Sequence, residues 1–166
     1  MRKIKAQKLT PEAFQNYGTY QNLYDLGDRV EEWENGAKGF FPDLVKMNFG
    51  CGNPVTASVC KVLQSDGNVI EFTEIHKYTG EGILPLDGDC IIHVGKGFKG
   101  VNSAKIKAFY IPKGTFVSLD PGIMHGKQIA YNQELVHVLI LLPGRTYGND
   151  CEVFSFADED KVEVEY

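Results

Sequence analysis

The chain has 166 residues, of which 43% are hydrophobic, 23% charged and 11% aromatic, and its formal net charge is −5. This length suits one domain over residues 1–166, and an acidic chain without a clustered basic stretch argues against a nucleic-acid partner. The basic N-terminus runs into no apolar segment, and no apolar run has the length of a membrane span. We therefore expect no membrane partner and a cytoplasmic location.

The N-terminal segment predicts an edge strand and short helices. Residues 3–9 suit the strand, and Thr10 and Pro11 have the residue types of a helix N-cap and first turn. Gly18 is predicted to end this helix after about two turns. The polar stretch 28–33 predicts a second short helix.

After Pro42 the sequence changes to short apolar runs separated by turn residues. Asp66-Gly67 between two of these runs predicts a β-hairpin. About nine short strands with hardly any helix predict an all-β sandwich or barrel, followed by a solvated acidic end at 158–160. The predicted strands cover residues 44–49, 57–63, 69–76, 90–95, 106–111, 115–119, 126–131, 135–142 and 153–156.

One of these strands leads into three groups with metal-binding or acid/base chemistry. Glu74, His76 and Glu81 lie within eight residues. Because Glu74 and His76 are two positions apart, a strand directs both to the same face. Placing a carboxylate and an imidazole inside a barrel is costly unless they bind something. This stretch is therefore the main candidate for the functional site.

Two segments resemble the paired signatures of the cupin barrel. Residues 74–88 carry Glu-x-His-x4-Glu-x6-Gly, which keeps the spacing of the first cupin motif with glutamate in place of its first histidine. Residues 114–125 carry Gly-x5-Asp-x-Gly-x2-His, which keeps the spacing of the second motif with its proline displaced. The resemblance implies a cupin-like double-stranded β-helix, or jelly-roll barrel, with one or two short N-terminal helices.

Within the cupins, the chain resembles the ureidoglycolate lyase family in residues 9–18, 74–86 and 114–125. This resemblance implies an enzyme of the amidine-lyase type that cleaves ureidoglycolate, or a related small hydroxy acid, to glyoxylate and urea. It places the protein in allantoin and purine catabolism and implies a small-molecule substrate. It also implies a homodimer, for which the edge strands at both ends of the chain offer a route.

The chain departs from the family pattern where contact with the substrate is expected. Tyr78 stands where the family tends to have a second histidine, Glu81 where it tends to have glutamine, and Met124 where it tends to have tryptophan. Two alternatives therefore stay open. One is a metal-dependent sugar isomerase or epimerase on a cupin barrel, and the other is a non-catalytic cupin that binds a small ligand.

Closure of the barrel brings Glu74, His76, Glu81 and His125 together as candidate metal ligands. Two imidazoles and two carboxylates suit a divalent ion such as Zn, Ni, Mn or Fe(II). The competing interpretation is that the histidines are hydrogen-bonded core or rim residues and that the carboxylates are solvated at the surface.

Catalysis without a metal is the second hypothesis for the site. His76 or Glu81 would act as the base that takes the proton of the substrate hydroxyl, and Tyr78 or Lys113 would donate a proton or hold the substrate carboxylate. Against these roles, Tyr78 suits a packing or rim position and Lys113 an exposed turn. Lys77 is expected to point away from His76.

Other polar residues in the strands are predicted to have structural roles. His93 and His137 each lie in a strongly apolar strand, which favours a core or inter-strand position. The cysteines form no C-x-x-C pair, and Cys90 suits a small buried hydrophobic residue. We expect reduced thiols at Cys51, Cys60, Cys90 and Cys151.

Overall fold

Strands dominate the protein, as the sequence predicts. Within the described residues there are two one-turn α-helices, α1 at Pro11–Phe14 and α2 at Thr146–Asn149. Neither has the length and apolar composition needed to cross a membrane. The all-β fold class is therefore confirmed. The computed structural model describes residues 1–27, 39–50, 52–97 and 101–166.

The strands form two large sheets and one small one. In chain order they are β1 (Arg2–Lys5), β2 (Gln7–Lys8), β3 (Gly18–Asn22), β4 (Val55–Leu63), β5 (Val69–Ile70), β6 (Phe72–Ile75), β7 (Glu81–Pro85), β8 (Cys90–Lys96), β9 (Lys107–Ile111), β10 (Thr115–Leu119), β11 (Ile123–His125), β12 (Ile129–Ala130), β13 (Leu135–Pro143), β14 (Glu152–Ser155) and β15 (Val162–Glu165). A five-stranded antiparallel sheet has the order β3-β10-β7-β13-β4. A seven-stranded sheet has the order β14-β6-β11-β8-β9-β2, with β12 also paired to β8, and β1-β15-β5 form the third sheet.

Alternation along β8 shows how the three sheets pack. Ile92 and Val94 point to one side and join a buried cluster with Ile83 and Val138 of the five-stranded sheet. Ile91 points to the other side and joins a second cluster that includes Val162 of the small sheet. Because side chains alternate along a strand, the seven-stranded sheet is covered on both faces. The space between the two large sheets is the interior in which the candidate site lies.

Helix α1 begins where the sequence predicts. The Thr10 hydroxyl accepts a hydrogen bond from the backbone N–H three residues later, at 3.3 Å, and Pro11 occupies the first turn. The helix ends at Phe14, earlier than predicted, and packs the buried Phe14 ring edge-on against Phe109. The helix predicted at 28–33 lies outside the described residues. Helix α2 was not predicted.

Two of the predicted strand features are wrong. Residues 44–49 are irregular apart from one bridge between Phe49 and Thr79. The Asp66-Gly67 turn does not join a hairpin, since β4 pairs with β13 while β5 pairs with β15. The turn instead connects strands of two different sheets. Whether a turn joins a hairpin or connects two sheets depends on long-range strand pairing and not on the turn residues.

The C-terminal part also differs from the prediction. The acidic residues 158–160 are exposed, but β15 follows them and buries Val162 and Val164 completely. Only two alternating apolar residues in a charged sequence signal this strand. The strand predicted at 126–131 is reduced to β12.

Candidate metal centre

The four predicted metal ligands converge between the two large sheets. Glu74 on β6 and His125 on β11 are direct cross-strand partners, so their side chains lie beside each other on one face. His76 follows β6 directly, and Glu81 begins β7 in the opposite sheet. The connection from β6 to β7 therefore passes from one large sheet to the other and carries one ligand at each of its ends, with the exposed Lys77 and Tyr78 between them.

Two glycines allow the backbone to approach closely at this connection. A Cβ on Gly80 would lie 2.4 Å from the carbonyl oxygen of Leu119, a contact that no other residue tolerates. Gly122 has φ 79° and donates its N–H to the carbonyl oxygen of His76 at 2.7 Å. These contacts fix the backbone on both sides of the cluster, directly before Glu81 and shortly before His125.

Glu81 is the centre of the cluster. Its Oε2 lies 3.1 Å from Nε2 of His76 and 3.1 Å from Nε2 of His125. The second carboxylate, Glu74, is looser, with Oε1 at 3.8 Å from Nε2 of His125. One ligand atom from each of the four residues lies within 4.8 Å of the others. Glu81 and both imidazoles are almost completely buried, whereas the Glu74 side chain is 16% exposed.

The outer nitrogens of both imidazoles are already hydrogen-bonded. Nδ1 of His76 donates to the carbonyl oxygen of Asp150 at 2.6 Å, and Nδ1 of His125 donates to that of Ile123 at 2.8 Å. In their neutral forms both rings then present an Nε2 lone pair to a carboxylate oxygen. Glu81 Oε2 and the two Nε2 atoms are then three acceptors that face one another, and they need a proton or a cation between them.

This donor set fits a divalent metal ion. With ligand bonds of about 2.1 Å, adjacent ligands of an octahedral ion stand about 3 Å apart, close to the separations around Glu81 Oε2. The carbonyl oxygens behind the two histidines fix ring orientation and tautomer, as protein partners of metal-bound histidines ordinarily do. His76, Glu81 and His125 therefore form a compact ligand set, with Glu74 at its open side.

Without a metal, the same contacts shift pKa values. Burial by itself raises the pKa of Glu81, but the charge of His125 and hydrogen bonds from both histidines outweigh burial and lower it to about 2. Burial opposes the charged form of His125, but the Glu81 carboxylate outweighs burial and raises the pKa of His125 to about 9. In the metal-free protein, a buried ion pair between Glu81 and His125 thus stabilises the cluster in place of a metal ion.

These shifts predict how the stability of the metal-free protein depends on pH. The raised pKa of His125 gives stability that is complete below its ordinary value of 6.5 and is lost as the pH rises through about 9. Burial lowers the pKa of His93 to about 3, so stability is also lost as the pH falls below 6.5. We expect the free energy of unfolding to be greatest near pH 6.5. Urea titrations in the presence of a chelator check this, and a stability that stays level from pH 6.5 to 9 contradicts it.

A segment far along the chain braces the His76 turn. The Asp150 carboxylate accepts hydrogen bonds from the backbone N–H groups of Lys77, Tyr78 and Thr79, at 2.8, 2.9 and 3.1 Å. The carbonyl oxygen of the same residue accepts from His76. Asp150 therefore orients a candidate ligand and caps the turn that follows it.

Asp150→Ala is expected to lower the free energy of unfolding by about 2 kcal/mol, because three N–H groups lose a charged acceptor. It is also expected to weaken metal binding by about tenfold, since the His76 turn is less well fixed. Urea unfolding and metal titration measure the two effects. Asp158→Ala, which removes an exposed carboxylate, is the matched control. Unchanged metal affinity in Asp150→Ala would show that the turn does not position His76.

Two further residues near the cluster were missed by the sequence analysis. The Cys151 thiol donates to Oε2 of Glu74 at 3.3 Å, and burial together with this carboxylate raises the Cys151 pKa to about 12. The ring of Tyr147 on α2 lies edge-on to His76 at 6.2 Å between ring centroids. The Tyr147 side chain is 60% exposed, and partial burial, followed by the charges of Glu81 and Glu74, raises its pKa. Both side chains are therefore neutral proton donors near the cluster.

Two residues predicted to act in catalysis lie apart from the cluster. Tyr78 is 70% exposed beside the His76 turn. Lys113 is exposed in the turn between β9 and β10, where its backbone N–H donates to Asp89. Lys77 points away from His76, as predicted, and pairs with the Glu152 carboxylate.

The remaining polar predictions divide between the core and the surface. His93 is buried as predicted, on the opposite side of the sheet from Ile92. Of the core or inter-strand position predicted for His137, the core part is wrong: its side chain is 33% exposed, and on a strand paired on both sides its Nδ1 lies 2.5 Å from the Asp87 carboxylate in the neighbouring turn. Met124 was expected to touch the substrate, but it is buried in the cluster between the seven-stranded and small sheets. Cys90 is fully buried as predicted, and burial raises its thiol pKa.

The fold and the site define the class as a cupin-like β-barrel with a buried His/Glu cluster that suits a metal ion. The sequence model of the family described as ureidoglycolate lyase matches residues 1–165. The chain belongs to this family.

Individual relatives are more distant. A protein of Agrobacterium fabrum described as "Putative ureidoglycolate lyase" is 28% identical over 128 residues, which are 75% of this chain and 74% of the relative. A dTDP sugar isomerase from Desulfovibrio desulfuricans aligns with a TM-score of 0.49 and 12% identity, over 87% of this chain and 85% of its own. The oxalate decarboxylase of Bacillus subtilis, a protein with Mn(II) centres, aligns with a TM-score of 0.44 and 12% identity. That alignment covers 63% of this chain and only 24% of the decarboxylase.

Proposed function

We propose that this protein is an enzyme that cleaves the C–N bond of ureidoglycolate, giving glyoxylate and urea. The observation that carries the proposal is the family match over residues 1–165, and the buried cluster supplies groups suited to the chemistry. The Agrobacterium fabrum relative is named for the same reaction. The family match favours this function over the isomerase and the non-catalytic alternatives.

The cofactor in this proposal is one divalent ion, with Ni, Zn, Mn and Fe(II) all compatible with imidazole and carboxylate ligands. His76, Glu81 and His125 would hold it, and Glu74 would complete or flank the ligand set. Such an ion supplies a Lewis acid that neutralises the charge of substrate oxygens. Elemental analysis of the purified protein identifies the ion.

The reaction moves one proton. The carbinol hydroxyl loses its proton and becomes the aldehyde of glyoxylate, while the electron pair of the broken C–N bond goes to the urea nitrogen, which takes up a proton. The sequence suggested two candidate bases, His76 and Glu81. Nε2 of His76 and Oε2 of Glu81 face each other, so both groups are held within the cluster. The geometry favours Glu74 as the acceptor, because it lies at the open side and Cys151 occupies only its Oε2.

The proton for the urea nitrogen is assigned to Tyr147. Its raised pKa keeps the hydroxyl protonated, and its ring lies against His76 at the mouth of the cluster. The sequence-based hypothesis gave this role to Tyr78 or Lys113, and the placement of Tyr147 nearer the cluster favours Tyr147. Tyr147→Phe removes only the hydroxyl and is expected to lower kcat more than it changes KM.

The direct test is incubation of the purified protein with ureidoglycolate and measurement of glyoxylate against the spontaneous rate. The protein is assayed as purified, after chelation, and after addition of each of the four ions. We expect glyoxylate formation that chelation reduces and one ion restores. No glyoxylate above the spontaneous rate with any ion would remove this substrate from consideration.

The proposal includes a homodimer in the cytoplasm. The nine-residue strand β4 ends the five-stranded sheet in the described part of the chain, and it exposes Val55, Val59 and Leu63 at 51, 57 and 43%. A long apolar edge strand is a ready pairing surface for a second copy. The described cysteines, Cys60 and Cys90 among them, are free thiols, in keeping with a reducing compartment.

Val59→Lys is expected to convert the dimer to a monomer, because it places a charge in the centre of the proposed pairing strand. Light scattering coupled to size-exclusion chromatography measures the mass. Lys161→Ala, which lies directly before β15 of the small sheet and outside β4, serves as the control. A wild-type monomer at micromolar concentration, or a Val59→Lys dimer, contradicts pairing through β4.

A further inference from the structure

A basic groove lies away from the His/Glu cluster. It has a volume of about 650 Å³ and runs between β1 and the adjoining edge of the β8–β9 region. None of the four cluster residues lines it. Its cationic residues come from three separate stretches of the chain, of which only the basic N-terminus stands out in the linear sequence; they are Arg2, Lys5, Lys96, Lys105 and Lys107.

The groove concentrates positive charge on a protein whose net charge is −5. Among the residues that the structure describes, no carboxylate lines it. The acidic residues of the neighbouring strand, Glu163 and Glu165, are turned to Lys3, with N–O distances of 3.3 and 3.4 Å. Within the described residues, Lys105 and Lys107 form no ion pair. Several like charges along a concave surface attract an anion more strongly than the same charges on a convex surface.

Two of the cations are held in place by neutral groups. Nη2 of Arg2 donates to the carbonyl oxygens of Ser103 and Ile106 at 2.6 and 3.1 Å, and Nε of Arg2 is buried without an acceptor in the described part of the chain. Lys96 donates to the side-chain oxygen of Asn16 at 2.9 Å. Neutral partners orient these groups without cancelling their charge, so the groove keeps its full positive potential.

The floor of the groove is apolar. Ile4, Tyr17 and Ile106 contribute to it, and the volume lies in the range of about 300–1,000 Å³ typical of sites for small organic ligands. Inorganic phosphate would pair with the cationic side chains of the groove but would leave its apolar floor in contact with water. We propose that the groove binds a small polyanion with an apolar body, of the class of nucleoside di- and triphosphates, at a site separate from the His/Glu cluster. This proposal does not depend on the proposed function.

Isothermal titration calorimetry with ATP, ADP, AMP, adenosine and inorganic pyrophosphate tests the ligand class. We expect affinity to fall from ATP through ADP to AMP, with adenosine not binding. Pyrophosphate should bind more weakly than ADP, because it lacks the body that covers the floor. The ADP dissociation constant should rise steeply with salt, as expected for contacts between lysine and phosphate.

Variants locate the site. Lys105→Gln/Lys107→Gln is expected to weaken ADP binding by at least about tenfold, through loss of two charge-assisted contacts. Lys46→Gln/Lys61→Gln removes the same charge from exposed lysines outside the groove and should change the affinity less than about twofold. Glu81→Gln should also leave ADP binding unchanged, which separates the groove from the metal centre.

Three outcomes overturn the proposal: no saturable binding of ADP or ATP up to millimolar concentration, equal losses in the two lysine pairs, or loss of binding in Glu81→Gln. A single-stranded oligonucleotide that binds more tightly as its length increases, and more tightly than ATP, would make the groove a nucleic-acid surface instead. Circular dichroism of both lysine pairs establishes that they remain folded.

Discussion

His125→Ala is expected to abolish stable metal binding and to reduce ureidoglycolate cleavage by at least about a hundredfold, a larger loss than removal of an outer partner of a ligand causes. Nε2 of His125 lies 3.1 Å from Glu81 Oε2 and 3.8 Å from Glu74 Oε1, so it faces both carboxylates of the cluster. Its removal therefore takes away one of the two imidazoles bonded to Glu81 and leaves His76 as the remaining imidazole of the cluster.

The measurement pairs metal content after gel filtration with kcat/KM for glyoxylate formation. His137→Ala is the matched control, because His137 is the same residue type, partly exposed, and bonded to Asp87 away from the cluster. We expect the control to retain its metal and its activity. A His125→Ala protein that keeps both would show that the cluster is not the reaction centre.

The sequence predicted much of this cluster for a simple geometric reason. Glu74 and His76 are two positions apart at the end of β6, and strand alternation, continued one residue past Ile75, directs them to one face. His125 lies nearly fifty positions later, and only the paired cupin-like motifs connected it to the same site. The structure explains that connection by the cross-strand pairing of His125 with Glu74.

The groups around the cluster were not predictable in this way. Tyr147, Asp150 and Cys151 lie more than seventy residues from Glu74 and follow no recognised spacing with it. They reach the site because β14 pairs with β6, which brings the segment before β14 against the His76 turn. Such pairing depends on long-range register, for which the sequence gives little local signal.

The same limit explains the errors in the fold. Asp66-Gly67 has the composition of a hairpin turn, but turn composition does not specify which strands pair. His137 was assigned to a core or inter-strand position because its strand is apolar, and alternation along β13 turns it outward beside Asp87. The other positions on the same face, Leu135, Leu139 and Leu141, are also apolar, so the sequence carries no alternation of polarity that separates the two faces of β13.

Glu81→Ala is expected to lower the free energy of unfolding of the metal-free protein by about 3 kcal/mol near pH 6.5, because it leaves two buried imidazoles without their shared carboxylate. Loss of that carboxylate also removes the charge that raises the pKa of His125. The decline in stability between pH 6.5 and 9 should therefore disappear in this variant, while the decline below pH 6.5, which comes from His93, should remain.

Glu81→Gln separates the charge of this residue from its hydrogen bonds. A glutamine amide has nearly the size and shape of a glutamate carboxylate, so it is expected to fit the space and to cost less stability than alanine. Glu159→Ala, an exposed carboxylate near the C-terminus, is the control for loss of one negative charge. Urea titrations across pH 5–9 compare the four proteins. If Glu81→Ala is as stable as the wild type, or keeps its alkaline decline, then Glu81 and His125 do not form the buried ion pair on which the metal-free state depends.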